Sequence, residues 1–333
     1  MQTFTNQTKI PLSMAVYLAT DHYDHIPGTI SATKLMRPVR QLVLSERVPQ
    51  QLNFTDILSL VKSRVGTSIH DGVEKSWKEG HYKQAMLRLG YPASIVDRIV
   101  VNPEDSELKP DSIPVYMEQR MFRDFMGERI SGKYDFLAEG RLEDIKTTGA
   151  YTWKLDSKVE DYQLQGSIYR WLDAALPIPR ITQDHMAIQF VFNDWAGYKV
   201  KSEDGYPPRQ VEQKLIPLMS VQDTEDYITN KITQLRLYKN SDETLVPQCT
   251  DKELWRKETV YKYYRKPDSY AAGKRSTANF NTSAEAFARF TKDGGTGLVI
   301  EKLGQVIACK FCPAFAVCTQ KDGYLADGTL TLD

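Results

Sequence analysis

Asp135, Asp144 and Lys146 stand at the most informative spacing in this chain, on either side of Glu139-Gly140. If Glu139-Gly140 is a two-residue hairpin turn, Ala138 pairs with Arg141, Leu137 with Leu142 and Phe136 with Glu143. Asp135 then falls opposite Asp144, and opposed residues carry their Cβ atoms roughly 4.5–5.5 Å apart. Side chains alternate along a strand, so Lys146 shares the face of Asp144 while Ile145 points the other way. Facing carboxylates repel, and a divalent cation between them reverses the sign. Such a site, with open water positions, suits Mg²⁺. A metal held there activates water and neutralises charge on a phosphoryl oxygen. A solvated polar strand face is the plainer alternative. Glu-Gly is also a weaker turn pair than Asn-Gly or Asp-Gly, and a longer loop would shift the register.

Other residues join this set. His70 lies four before Glu74 on a helical stretch, where a lone His is more often structural or exposed than a ligand. Glu118 precedes the hairpin and is a supporting carboxylate. Gln165 and Tyr169 are i, i+4 and share a helix face, as a polar residue and an aromatic commonly do on an amphipathic helix. Asp21-His22-Tyr23-Asp24-His25 is dense in ligand types but fits better as a solvated tail. The four cysteines, Cys249, Cys309, Cys312 and Cys318, all lie in the last third, three of them as C-x₂-C-x₅-C. Four thiolates suit Zn²⁺ or an iron–sulfur cluster.

The elements that must position these groups read as α/β. Residues 1–29 read as an irregular tail. A helix starts at Ser31 as cap and continues through Leu35, Val39 and Val43, and a second spans Thr55 to Lys78. Residues 101–114 form a loop. Strands follow at 114–123, 128–136, 141–147 and 186–192, the last pairing with 197–201, and a short one at 214–219. Helices cover 161–175 and 222–238. The expected organisation is a tail at 1–29, a helical segment at 30–113, a core at 114–244 and a Cys-bearing region at 245–333.

Composition bounds the rest. The chain has 333 residues, 41% hydrophobic and 26% charged, which are globular values. Lys plus Arg is 43 and Asp plus Glu is 43. The start lacks an apolar signal segment, and Ile10–Ala19 is too short for a bilayer span. A soluble cytoplasmic protein without a membrane partner is expected. The neutrality is uneven: residues 251–275 hold eight cations against four carboxylates, interleaved with Trp255, Tyr261, Tyr263, Tyr264 and Tyr270. Lys262, Arg265 and Lys266 lie there. Residues 31–65, with Arg37 and Arg40, are also basic. Cations that track phosphates between aromatics that stack bases suit single-stranded nucleic acid.

Gly132…Asp135…Asp144-Ile145-Lys146-Thr147 resembles the core of PD-(D/E)xK nucleases, and more narrowly the RecB-like exonuclease branch with its CRISPR-associated and AddB-type iron–sulfur members. Further matches follow in order. Ser31–Leu35 with Pro38, Arg40 and Leu44 is similar to the opening helix. Arg64–His70 is similar to the Gly-x-x-x-His motif, and Gln165–Tyr169 to the Gln-x-x-x-Tyr motif. The likeness covers roughly residues 30–240 and again the C-x₂-C-x₅-C run. It implies a restriction-endonuclease-like core, a central mixed sheet flanked by helices, with an N-terminal helical segment and a Cys-rich metal-binding region. It implies Mg²⁺ or Mn²⁺ held by His70, Asp135, Asp144 and the Ile145 carbonyl, with Lys146 at the attacking water. A [4Fe-4S] cluster is implied on the cysteines, with Zn²⁺ as alternative. The family draws its fourth Cys from the opening helix, where this chain has none, so Cys249 must replace it. The expected activity is exonucleolytic hydrolysis of linear or single-stranded DNA, with a structure-specific or general endonuclease of the same fold, or a non-catalytic DNA-binding scaffold, as rivals. A helicase, recombinase or single-strand-binding protein is the expected partner, and a phage source fits a stand-alone nuclease of this kind.

Overall fold

The structure is a computed structural model that describes residues 3–20, 26–52, 54–78 and 80–332. The 21–25 cluster lies outside the described residues. Strands in chain order are β1 Thr3–Thr5, β2 Thr29–Ser31, β3 Phe54–Asp56, β4 Ile99–Val101, β5 Ile113–Phe125 and β6 Glu128–Ala138. They continue as β7 Arg141–Thr148, β8 His185–Phe192, β9 Val211–Pro217, β10 Val260–Tyr264, β11 Ala278–Phe280 and β12 Leu298–Lys302. The chain divides into two compact units, Met1–Arg37 with Phe54–Thr233, and Pro38–Asn53 with Gln234–Asp333.

The first unit is built on a mixed sheet in the order β4-β5-β6-β7-β8-β9, with β2 added to β6. Two hairpins make its centre. Glu139 (φ 51°) and Gly140 (φ 75°) are both left-handed, as are Met126 (φ 50°) and Gly127 (φ 71°). This is the backbone of a type I′ turn, whose twist matches the strands it joins. The Glu-Gly turn is therefore two residues long, and Phe136, Leu137 and Ala138 pair with Glu143, Leu142 and Arg141 as the spacing predicts. Helix Val159–Asp173 covers one face and buries Ile168, Trp171 and Leu172 with Ile188, Phe190 and Phe192. On β6, Gly132 is required by that packing, because a Cβ there would meet Leu172 Cδ1 at 2.6 Å and Tyr169 Cδ1 at 2.8 Å.

Several expectations are corrected. The 1–29 segment is not irregular throughout: Thr3–Thr5 pairs with Phe54–Asp56, and helix Leu12–Ala19 buries Leu18. Its Tyr17 hydroxyl donates to Arg64 O at 2.8 Å, so apolar residues seated on a neighbouring helix order what composition leaves open. The Ser31 cap is present, accepting from Lys34 N at 3.1 Å. The helix it starts ends at Leu35, because Pro38 lacks the N–H to continue it, and a new helix runs Val39–Ser45. Thr55 lies in β3 and the long helix begins at Val61. Gly197–Lys201 is a 3₁₀ turn, and the partner of β8 is β9 instead.

The second unit carries a three-stranded antiparallel sheet in the order β11-β10-β12, flanked by helices Pro267–Ala271 and Ser283–Lys292. Tyr263 is fully buried in it, and its hydroxyl donates to Asp293 at 3.0 Å. Helix Val39–Ser45 belongs to this unit, with Val39 and Val43 against Val246. Among the described residues no helix is long and apolar enough to cross a membrane.

Candidate functional site

One edge of β6 pairs with β5 along its length. The other pairs with β2 at Arg129–Ser131 and with β7 at Phe136–Ala138. Gly132–Asp135 thus has no strand on that side, and β7 turns away to run parallel with β8 from Glu143 to Thr148. The expected opposition of Asp135 and Asp144 is corrected by this splay, since the ladder stops one residue short of it. The reason is visible at Ile145. Its N–H donates to Asp135 Oδ2 at 2.8 Å, and its carbonyl lies 2.9 Å from His70 Nε2. Backbone groups must be satisfied, and here two side chains do what a strand would.

His70 comes from helix Val61–Lys78, which seats Trp77 against Phe136 of β6 with ring centroids 5.1 Å apart. The His70 Nδ1 lies 3.4 Å from Asp135 Oδ2. Across β6 on the other side, Glu118 stands opposite Asp135, between the pairs Met117–Phe136 and Gln119–Tyr134. Its backbone is left-handed (φ 51°) in mid-strand, a conformation that costs about 1–3 kcal/mol and concentrates at functional sites. Asn102 braces the bend: Met117 N–H donates to its Oδ1 at 2.7 Å, and its Nδ2 donates to Met117 O at 3.2 Å. Ligand-type atoms of His70, Glu118 and Asp135 all lie within 4.8 Å of one another.

Asp144 is 1% exposed. Its Oδ2 lies 2.5 Å from Lys146 Nζ as an ion pair. Lys146 Nζ also sits 5.7 Å from the Tyr162 ring centroid. Burial pushes the Asp144 carboxyl up, more than the Lys146 charge lowers it. Burial alone would raise Asp135, but the hydrogen bond and charge of His70 outweigh it and hold it low. Burial would lower His70 and Lys146. Asp135 reverses this for His70, and the Asp144 and Asp135 carboxylates reverse it for Lys146. Glu118 is pushed up by burial despite its ion pair with Lys133 at 2.5 Å.

The structure thus brings His70, Asp135, Asp144, Ile145 and Lys146 into one neighbourhood. Glu118, taken from sequence only as a supporting carboxylate, stands in the ligand cluster. The signal for it was in the chain: Met126-Gly127 is a second two-residue turn, and counting back from its Phe125–Glu128 pair sets Glu118 against Asp135. Gln165 and Tyr169 are 9% and 4% exposed, and Gln165 Nε2 donates to the Tyr169 hydroxyl at 2.9 Å. They face the packing against β6 rather than open solvent.

Of the basic residues in the first unit, Arg37 is exposed. In the second unit Lys266 is exposed, Lys262 half-buried, and Arg265 is paired with Asp293 at 3.0 Å. Arg40, expected to contact DNA, is corrected: it is 5% exposed, ion-paired with Glu243, and donates to Val246 O at 2.9 Å. Its Nε donates to Cys318 Sγ at 3.3 Å. A guanidinium so engaged has no fork left for phosphate.

No disulfide joins the four cysteines. Cys309 and Cys312 share a 3₁₀ turn, where Cys312 N–H donates to Cys309 O at 3.2 Å. Gln320 clasps Cys249 from both sides: its Oε1 accepts from Cys249 N and its Nε2 donates to Cys249 O, each at 2.9 Å. Burial pushes the Cys249 thiol up to about 12, and charge on Cys318, Cys312 and Cys309 acts in the same direction. Among the described residues the ligand-type atoms that gather within 4.8 Å are those of His70, Glu118 and Asp135, and no group of three cysteines does so.

No protein-family model matches the sequence, and no curated protein matches it. Among solved structures it is similar to that of SSO0001, with 15% identity and a TM-score of 0.40 over 70% of this chain and 89% of that one. It is also similar to a phage related exonuclease from Haemophilus somnus 129PT, with 17% identity and a TM-score of 0.24 over 38% of this chain and 59% of that one.

Proposed function

We propose that the chain is a divalent-metal-dependent DNA nuclease, acting as an exonuclease. The observation that carries this reading is the convergence of His70, Glu118 and Asp135 within 4.8 Å beside the Asp144–Lys146 pair, in the gap where β6 and β7 part. The donor set fits a hard cation: carboxylate oxygens, one imidazole and the Ile145 carbonyl. Asp144 Oδ2 is buried and ion-paired with Lys146, and a carboxylate oxygen so placed keeps a lone pair for a cation. His70, Glu118, Asp135, Asp144 and the Ile145 carbonyl would hold it. A bound Mg²⁺ or Mn²⁺ supplies an activated water and charge neutralisation on the phosphoryl oxygens.

The chain's own residues do the rest. Lys146, kept charged by two carboxylates, donates to a non-bridging phosphoryl oxygen as negative charge develops, which is electrostatic stabilisation from a fixed donor. Asp135 and His70 fix the Ile145 main chain and so the position of its neighbours Asp144 and Lys146. Water attacks phosphorus in line. One P–O bond forms, the bridging P–O bond breaks, and the leaving oxygen takes up a proton.

The cysteines are read as holding a [4Fe-4S] cluster, with Zn²⁺ as alternative. Four free thiols within the second unit are the donor type that either metal takes.

End-labelled linear DNA and closed circular DNA, each with Mg²⁺ or Mn²⁺, test the assignment. Wild type should degrade the linear form and spare the circle. Asp144→Ala and Lys146→Ala should each lose at least about 100-fold in rate, as removal of a charge-stabilising donor does elsewhere. Intact DNA with wild type, or both variants cutting at the wild-type rate, overturns the reading. Cut circles replace exonuclease with endonuclease. Iron and zinc analysis of anaerobically purified protein decides the cysteine metal.

A further inference from the structure

The second unit holds a cavity of about 490 Å³ lined by Lys262, Tyr264, Gly273, Lys274, Arg275, Ser276 and Asn279. Its floor is one face of a β-hairpin. Lys262 on β10 pairs with Asn279 on β11, and Tyr264, two residues on, shares the face of Lys262. The segment after helix Pro267–Ala271 folds over and brings Lys274 and Arg275 to the rim. Lys274 N–H returns to Ser269 O at 2.8 Å, which holds the turn.

Three cations thus converge with no carboxylate among the lining residues. The neighbouring arginines differ. Arg256 is paired with Asp251 at 2.7 Å, and both Arg265 and Arg289 with Asp293, at 3.0 and 3.2 Å. Among the described residues no carboxylate lies within ion-pair distance of Lys262, Lys274 or Arg275, so this part of the surface keeps its charge uncompensated. Beside the cavity, Tyr270 is 47% exposed and packs edge-on against Tyr264, with centroids 5.3 Å apart. An exposed, edge-supported ring offers a free face at fixed orientation.

From this we infer that the cavity is a binding site for single-stranded nucleic acid, separate from the proposed catalytic cluster. Lys262, Lys274 and Arg275 take consecutive phosphates, and Tyr270 stacks a base. The volume accepts about one nucleotide, since sites of ~300–1,000 Å³ hold small ligands. The inference deepens the nuclease reading by naming a strand contact, and its test is kept apart from cleavage.

Fluorescence anisotropy of a labelled twelve-residue oligothymidylate in EDTA, where no metal-dependent cleavage occurs, reads binding alone. Counterion release gives single strands a slope of about −0.7 in log K against log salt per phosphate contacted. The triple variant Lys262→Gln, Lys274→Gln, Arg275→Gln should lower the magnitude of that slope by about 2, and affinity in 0.1 M salt by tenfold or more. Tyr270→Ala should weaken binding at least about fivefold with the slope unchanged, as loss of one stacked base does. Lys292→Gln, an exposed charge outside the cavity, should leave both unchanged. All five side chains changed are at least partly exposed, and matched melting curves check folding. Unchanged affinity and slope in the triple variant overturn the site. Equal affinity for a duplex of the same length, or for the mononucleotide, overturns the single-strand assignment. Cleavage without this binding, or binding without cleavage, shows which of the two readings has failed.

Discussion

At Glu118 a residue that a strand would normally hold in extended backbone sits left-handed, between a side-chain brace from Asn102 and a carboxylate cluster. Strain of this kind persists only when the surroundings over-determine it. Glu118→Gln keeps the size and removes the charge. It should weaken Mn²⁺ binding at least tenfold by titration calorimetry while leaving the melting temperature within about 2 °C. A wild-type affinity would remove Glu118 from the ligand set. Protonation acts on the same groups. Asp144 and Glu118 are both pushed up by burial, so they take up protons at a higher pH than ordinary carboxylates. Ligands must be deprotonated for a cation to bind. Metal affinity should therefore fall as pH drops, beginning above the usual carboxylate range, and recover on return to neutral pH. A flat profile between pH 5 and 7.5 would contradict it. The Glu139-Gly140 hairpin was legible because its register is simple counting, but the count ran one pair too far, to Asp135 and Asp144, where β7 leaves β6. Arg40 was misread because sequence shows a charge without showing that Glu243 and Cys318 lie beside it.

Among the elements, the central hairpin depends on its turn. Gly140 is left-handed, and a Cβ there would come within 2.0 Å of Thr182 Oγ1. Its carbonyl also accepts from Thr182 N and Gln183 N, both at 3.0 Å. Gly140→Ala should cost at least ~1–2 kcal/mol from the left-handed backbone alone, read by urea denaturation, with a larger loss where Thr182 cannot yield. Glu139 occupies the same region with an ordinary side chain. Glu139→Asn should stabilise by roughly 0.5–1 kcal/mol, since Asn suits this turn position. If Gly140→Ala is neutral and Glu139→Asn destabilising, the turn is of another type. Periodicity found the long helix and the central strands. It missed the Leu12–Ala19 helix and the β10–β12 sheet, whose short apolar runs gain their order from what they pack against. It also ran the Ser31 helix through Pro38, where local chemistry outweighs spacing.

For the molecule as a whole, equal numbers of cations and carboxylates conceal opposed local fields: buried carboxylates around His70 in one unit, an uncompensated basic cavity in the other. The chain order adds a second concealment. Composition places a boundary near residue 245, yet the C-terminal unit also includes Pro38–Asn53. Val39 and Val43 are buried with Val246, and Arg40 donates to Val246 O and Cys318 Sγ. A chain cut after Thr244 loses those partners. It exposes two valines and removes the Val246 and Cys318 acceptors of Arg40, which keeps Glu243. The fragment 1–244 should therefore melt lower than the full chain and self-associate on size exclusion. In the full chain Arg40→Met should destabilise by about 1–3 kcal/mol, because the Val246 carbonyl and the half-buried Glu243 lose their charged donor. A fragment that stays monomeric with the full chain's melting temperature would show that residues 38–53 fold without the C-terminal segment, and that the boundary near 245 is a true one.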